Sequence, residues 1–183
     1  MTFMHNKSLC FIGSGSIIAE NMAAIEVATI AKLLAGYYPE MVYGGSTRGL
    51  MGVFAKEFFK HNQNVISVYP KWLDEAGLLF DGGECLLAPN LSKRKQIMFE
   101  RCSDIVCFPG GTGTLDELFT YIEMGAVGEV ELGAVYLYNH DRYYEKLLEN
   151  LASMAEKKMI RRDIIKCIHP FCGRDELKGI LDG

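Results

Sequence analysis

The chain has 183 residues, of which 49% are hydrophobic and 23% charged, with a formal net charge of −4. That length suits one domain with a core of its own, and the composition is ordinary for a globular chain. The acidic balance argues against nucleic acid or an acidic membrane as a partner, and no run nears the ~18 apolar residues of a membrane span.

No basic region followed by an apolar stretch and a cleavage site opens the sequence, so a cytoplasmic location is expected. The six cysteines, Cys10, Cys85, Cys102, Cys107, Cys167 and Cys172, show no close C-x2-C pairing, and several sit in apolar runs. They read as reduced core residues. His5, His61, His140 and His169 are scattered and form no ligand pattern, so no metal is expected.

In chain order, Lys7 to Ile12 reads as a buried strand that ends in Gly13-Ser14-Gly15-Ser16. A helix follows with Ile17, Ala24, Val27, Ala28, Ala31, Leu34 and Ala35 at core positions, and Gly36 is its stop. Glu40 to Tyr43 is a second strand ending in Gly44-Gly45-Ser46-Thr47-Arg48-Gly49, and a helix runs from about Leu50 to Lys60. Asn64 to Tyr69 is a third strand, Lys71 to Gly83 is irregular or a short helix, and Glu84 to Leu87 is a short fourth strand. Ser92 to Cys102 reads as a charged helix, and Asp104 to Phe108 as the next buried strand. After the helix that follows it, Gly133 to Tyr138 is a strand and Asp141 to Lys157 a long helix. Ile165 to Ile168 is expected to close the sheet, and Asp175 to Leu181 to form a last helix.

Strands alternating with helices predict a doubly wound α/β fold, a mostly parallel sheet with helices on both faces. Ligands in such folds bind at the carboxyl ends of the strands, where strand order reverses. Three strands here end in polar or glycine-rich loops.

The most informative of these is Pro109-Gly110-Gly111-Thr112-Gly113-Thr114-Leu115-Asp116-Glu117. It joins a strand to a helix marked by Leu115, Leu118, Phe119 and Ile122. Its glycines allow a close approach to a ligand. The free N–H groups and dipole of a helix start favour an anion, with Thr112 and Thr114 adding hydroxyls. Glu117 comes about one turn later, in reach of the same cavity. An anion cradle beside a carboxylate points to a phosphorylated substrate and to chemistry.

The other loops are less specific. Gly13-Ser14-Gly15-Ser16 lacks the third glycine of a dinucleotide fingerprint, and Tyr43-Gly44-Gly45 stands where an acidic residue would hold a ribose. A tight turn without a ligand role is the alternative for this loop. There is no P-loop lysine motif and no G-x-S-x-G elbow. Lys93-Arg94-Lys95 reads on pattern alone as a solvated face; an inward arginine would suit a phosphate or a purine edge.

Together, Pro109-Gly110-Gly111-x-Gly113-Thr114-x-x-Glu117 and the preceding Arg94-Lys95 and Met98 resemble the Lonely Guy (LOG) family. Members are nucleoside 5′-monophosphate phosphoribohydrolases, some once labelled lysine decarboxylases. Tyr43-Gly44-Gly45 with Gly49-Leu50-Met51-Gly52, the run Val65 to Leu73, and Asn139 with Tyr143-Tyr144 extend the match. The resemblance covers about residues 8 to 160 and implies a Rossmann-like fold, with residues 1–183 expected to form one nucleotide-binding domain, and a homodimer or larger even assembly with the active site near the interface. It implies Arg94 and Glu117 as the catalytic pair, and Gly110, Gly111, Gly113 and Thr114 as holders of the 5′-phosphate. Gly13, Ser14, Gly44, Gly45, Lys95, Pro109 and Thr112 complete the expected substrate site, with no cofactor. Lys93 departs from the family's usual Glu, and Tyr121 to Val127 departs from its Trp-x-Gln-Leu-Gly-x-His stretch, so the base preference is left open. Two further readings stand beside this one: a carrier of a phosphorylated pterin such as the molybdenum cofactor, and a regulatory nucleotide binder.

Overall fold

Strand and helix alternate along the chain because runs of period-two and buried apolar residues are separated by amphipathic ones. The structure, a computed structural model, describes residues 7–62 and 64–183, and the side chains of residues 17–23 are not among those described. His5 and the side chain of Ile17 therefore lie outside the described residues. The first half comprises β1 (Ser8–Ile12), α1 (Ile17–Ala35), β2 (Glu40–Tyr43), α2 (Gly49–His61), β3 (Val65–Pro70), α3 (Lys71–Glu75) and β4 (Glu84–Ala88). The second half comprises α4 (Leu91–Glu100), β5 (Asp104–Cys107), α5 (Thr112–Val127), β6 (Val135–Tyr138), α6 (Glu145–Glu156), α7 (Arg162–Lys166), β7 (Ile168–Phe171) and α8 (Arg174–Asp182).

The seven strands form one sheet in the order β4-β3-β2-β1-β5-β6-β7, and every pairing is parallel. The chain winds outward from β1 to β4, then returns to lay β5 on the other side of β1. The crevice between β1 and β5 is the point where strand order reverses. This is a Rossmann-like α/β fold.

The pleat assigns alternate residues to two cores. Leu9 and Phe11 of β1 face one side with Val27, Ile30 and Leu34 of α1 and Phe54 and Phe58 of α2. Cys10 and Ile12 face the other with Met98 and Phe99 of α4 and Leu118 and Tyr121 of α5. Phe11 stacks on Phe54 with centroids 4.2 Å apart and lies 5.5 Å from Phe108, so an aromatic floor sits under the reversal point. Each buried ring contributes ~1.5–3 kcal/mol by removal from water.

Two elements differ from expectation. The helix expected from Asp141 begins only at Glu145, after a 3-10 turn over His140–Arg142 in which Asp141 and Arg142 have φ of 51° and 58°. The Asn139 side-chain oxygen accepts the Tyr144 N–H at 2.7 Å, offering the backbone a partner other than a helical carbonyl. The closing strand lies at Ile168–Phe171, while Ile165 belongs to α7. A short apolar pair such as Ile164-Ile165 fits helix and strand equally. Pro170 is tolerated in β7 because that strand is an edge. The cysteines also divide: Cys10 and Cys107 are buried, whereas Cys85 on the edge strand β4 and Cys172 just past the edge strand β7 are exposed. Burial pushes the Cys107 thiol up to about 12, and Cys10 also upward, so both behave as apolar core groups.

Candidate functional site

At the carboxyl ends of β1, β2, β3 and β5 lies a cavity of about 400 Å³, a size suited to a small-molecule ligand. Gly13 and Ser14 enter it from the β1 loop, Gly44 from the β2 loop, Arg94 from α4, and Gly111, Gly113, Thr114 and Glu117 from the start of α5. The sequence-predicted residues from four separate segments thus converge.

The basic run on α4 separates because successive helical residues point about 100° apart. Asn90 caps the helix, its Oδ1 accepting the Lys93 N–H at 2.8 Å. Lys93 is exposed, and Lys95 turns sideways to Asp116 at 2.8 Å and to Thr120 at 2.9 Å. Arg94 points inward with only 9% of its surface exposed, so the solvated-face reading does not hold for it. Its Nε donates to the Val68 carbonyl at 3.0 Å, and Nη1 donates to Glu117 Oε1 at 2.6 Å. Nη2 and Glu117 Oε2 have no hydrogen-bond partner among the described residues. Each member of the pair therefore keeps unused hydrogen-bonding capacity beside the cavity.

Glycine makes this geometry possible. A Cβ on Gly44 would lie 1.7 Å from Arg94 Nη2, so the guanidinium occupies the space a side chain would take. A Cβ on Gly110 would lie 2.0 Å from Thr114 Oγ1, so that glycine lets the loop close onto the first turn of α5. Gly111 is the residue before α5, and no side chain caps the helix. The first-turn amides therefore have no side-chain cap, an arrangement that can hold an anion.

Gly45, Lys95, Pro109, Gly110 and Thr112 do not line the cavity. Pro109 and Gly110 shape the loop behind it, Gly45 is buried, and Lys95 is held by Asp116. Conversely, Gly15, Ser46, Arg48, Met51, Pro70, Trp72, Leu73, Leu78 and Leu91 line the cavity without having been named as site residues. The signal for most was available: they follow the carboxyl end of β2 or β3, and Leu91 sits one turn before Arg94 on α4. The lining is chemically split. Glycines and hydroxyls gather at the β1–β5 end, and Trp72, Leu73, Leu78 and Leu91 at the β3 side. The charged lining residues are Arg48, Arg94 and one carboxylate, Glu117, so the lining carries net positive charge. Among the described residues no group of three or more His, Cys, Asp or Glu is placed to hold a metal ion. No helix among them is long and apolar enough to cross a membrane.

Solved structures of related shape include the molybdenum cofactor binding protein of Rippkaea orientalis. Its TM-score is 0.69 at 14% identity, covering 98% of this chain and 97% of that one. The molybdenum cofactor carrier protein of Chlamydomonas reinhardtii gives 0.69 at 14% identity, covering 97% and 96%. At such identity the likeness is one of fold. Sequence relatives are nearer. Cytokinin riboside 5′-monophosphate phosphoribohydrolase LOG1 of Arabidopsis thaliana is 32% identical over 158 residues, covering 84% of this chain and 72% of that protein. The Arabidopsis protein named "Probable cytokinin riboside 5′-monophosphate phosphoribohydrolase LOG6" is 34% identical over 158 residues, covering 84% and 77%. Residues 51–177, which hold both Arg94 and Glu117, match the family model described as "Possible lysine decarboxylase". The chain belongs to that family, the LOG family.

Proposed function

We propose that this protein hydrolyses the N-glycosidic bond of a nucleoside 5′-monophosphate, giving free base and ribose 5-phosphate. The observation that carries the reading is the Arg94–Glu117 pair, at 2.6 Å, facing the cavity one and a half turns along the helix whose N-terminus is an open anion cradle. The 5′-phosphate sits on the amides of Gly111, Gly113 and Thr114, and the base lies toward Trp72, Leu73 and Leu78. That places the sugar between them, beside Glu117.

Cleavage of the bond from C1′ to the base nitrogen builds positive charge on the ribose ring. The Glu117 carboxylate stabilises that charge and takes a proton from the water whose oxygen bonds to C1′. The leaving base nitrogen receives a proton in turn, so the bond broken and the bond formed balance as one water consumed. Arg94 fixes the Glu117 rotamer and turns its free Nη2 toward the substrate. Phosphate binding holds the sugar in register with the carboxylate. A pterin carrier or a regulatory nucleotide binder would use the cradle but give Glu117 no role, which is why hydrolysis is preferred.

The working unit is proposed to be a homodimer or a larger even assembly. Trp72, Leu87, Leu91 and Phe119 are 59%, 57%, 58% and 40% exposed on α3, β4, α4 and α5, more apolar surface than a lone helix face needs to show. Val127, at the end of α5, is 61% exposed as well. A single ~20 kDa species in sedimentation at micromolar concentration would contradict this.

The test of function is a panel of AMP, GMP, CMP, UMP and isopentenyl-AMP, with ribose 5-phosphate and free base both measured. Release of both from at least one nucleotide is expected, and release from none contradicts the reading. The pattern across the panel assigns the base.

A further inference from the structure

We propose that Tyr143, reaching across from the β6–α6 turn, is a positioning residue that orients the phosphate loop for substrate binding. This rests on the cradle assigned above.

Three consecutive loop carbonyls are each held from behind. Tyr144 donates its hydroxyl to the Phe108 carbonyl at 2.7 Å, the Ser14 N–H donates to the Pro109 carbonyl at 3.3 Å, and Tyr143 donates its hydroxyl to the Gly110 carbonyl at 2.6 Å. A trans peptide is planar, with its C=O and N–H pointing in opposite directions. Holding the Gly110 carbonyl against Tyr143 therefore directs the Gly111 N–H the other way, and Gly111 lines the cavity. That N–H has no partner among the described residues. Glycine on both sides of this peptide gives it little intrinsic preference between the two flipped orientations. The Tyr143 hydroxyl supplies the preference.

The turn that carries Tyr143 is shaped for this reach. Asp141 and Arg142 both take left-handed backbone, an uncommon choice for residues with a Cβ. The Tyr143 ring stands edge-on to Tyr144, with centroids 4.9 Å apart and planes at 89°. Tyr143 is itself 54% exposed, so its ring is held by Tyr144 and by its own hydrogen bond rather than by core packing. Tyr144 is buried and anchors the strand end; Tyr143 acts on the one peptide that presents an amide to the ligand.

The test is Tyr143→Phe, which keeps the ring and its contact with Tyr144 and removes only the hydroxyl. Binding of ribose 5-phosphate is measured by calorimetry, kinetics are measured on AMP, and Tm is recorded. A hydroxyl-to-carbonyl hydrogen bond of ordinary strength predicts ribose 5-phosphate affinity about 3–10-fold weaker. The KM for AMP should rise by the same factor while kcat and Tm hold and the affinity for adenosine does not move. Unchanged ribose 5-phosphate affinity overturns the assignment. So does a fall in Tm with kcat and both affinities falling together, which is the signature of a merely structural tyrosine. Wild-type protein that binds no ribose 5-phosphate overturns it as well. Weaker ribose 5-phosphate binding by the variant, in a protein that releases no base from AMP, supports the Tyr143 assignment while removing the hydrolase reading.

Discussion

Two partly buried carboxylates sit at opposite ends of the same strand and are treated in opposite ways. Asp104 opens β5 at the amino end of the sheet. Its Oδ2 accepts the Tyr38 hydroxyl at 2.8 Å, its Oδ1 accepts the Ala134 N–H at 2.6 Å, and the Tyr136 hydroxyl lies 3.2 Å from that of Tyr38. Burial and the Asp104 charge push the Tyr38 hydroxyl well above the usual phenol range, so the network keeps its protons. Glu117 follows the carboxyl end of β5. One of its oxygens is held by Arg94, and the other has no partner among the described residues and borders the cavity. A saturated carboxylate locks neighbouring strands together; an unsaturated one is left for a ligand. Glu117 Oε2 is not a buried orphan: it borders the cavity, where a ligand or water can reach it, which is why the proposed chemistry is assigned to Glu117 and not to Asp104.

The comparison is broken most forcefully at Glu117. Glu117→Gln should lower kcat by about 10²–10⁴-fold with little change in Tm, measured as base release from the preferred nucleotide and by thermal melting. A variant keeping most of its activity would reduce Glu117 to a helix-start carboxylate. Gly44→Ala comes next: the new Cβ would lie 1.7 Å from Arg94 Nη2 and must drive the guanidinium off Glu117. A displacement of that order costs about 10²-fold in kcat. At the other end of β5 the readout changes. Asp104→Ala leaves the Tyr38 hydroxyl and the Ala134 N–H without their acceptor and should cost about 1–3 kcal/mol of stability. In a chain of this size that lowers Tm by about 2–4 °C for each kcal/mol, with KM unmoved. Tyr136→Phe, which removes only the outer hydroxyl of that network, should cost about 0.5–1.5 kcal/mol and leave turnover alone.

The sequence shows the Glu117 end more clearly than the Asp104 end. The glycine loop and Glu117 stand out because local chemistry demands particular residues at particular spacings, and a helix start after a glycine turn is a local event; Arg94 was marked only by the family resemblance. Strand positions were legible for the same reason, from short apolar runs ending in turn residues. The Asp104 network was not, since Tyr38, Asp104, Ala134 and Tyr136 meet only once β5 and β6 are paired. The inward turn of Arg94 was hidden too. Between two lysines it looks solvated until the register of α4, set by Asn90 and Met98, is known. The shift of β7 past Ile165 escaped because a short apolar pair carries no period of its own.

The most direct test of the central claim is the kcat/KM for release of ribose 5-phosphate from AMP beside that for release of ribose from adenosine, on the same wild-type preparation. If phosphate anchored at the start of α5 holds the sugar against Glu117, AMP reacts efficiently and adenosine reacts poorly, because the cradle is left without its anion. Equal values for the two would show that the cradle contributes nothing to the reaction and would contradict the account.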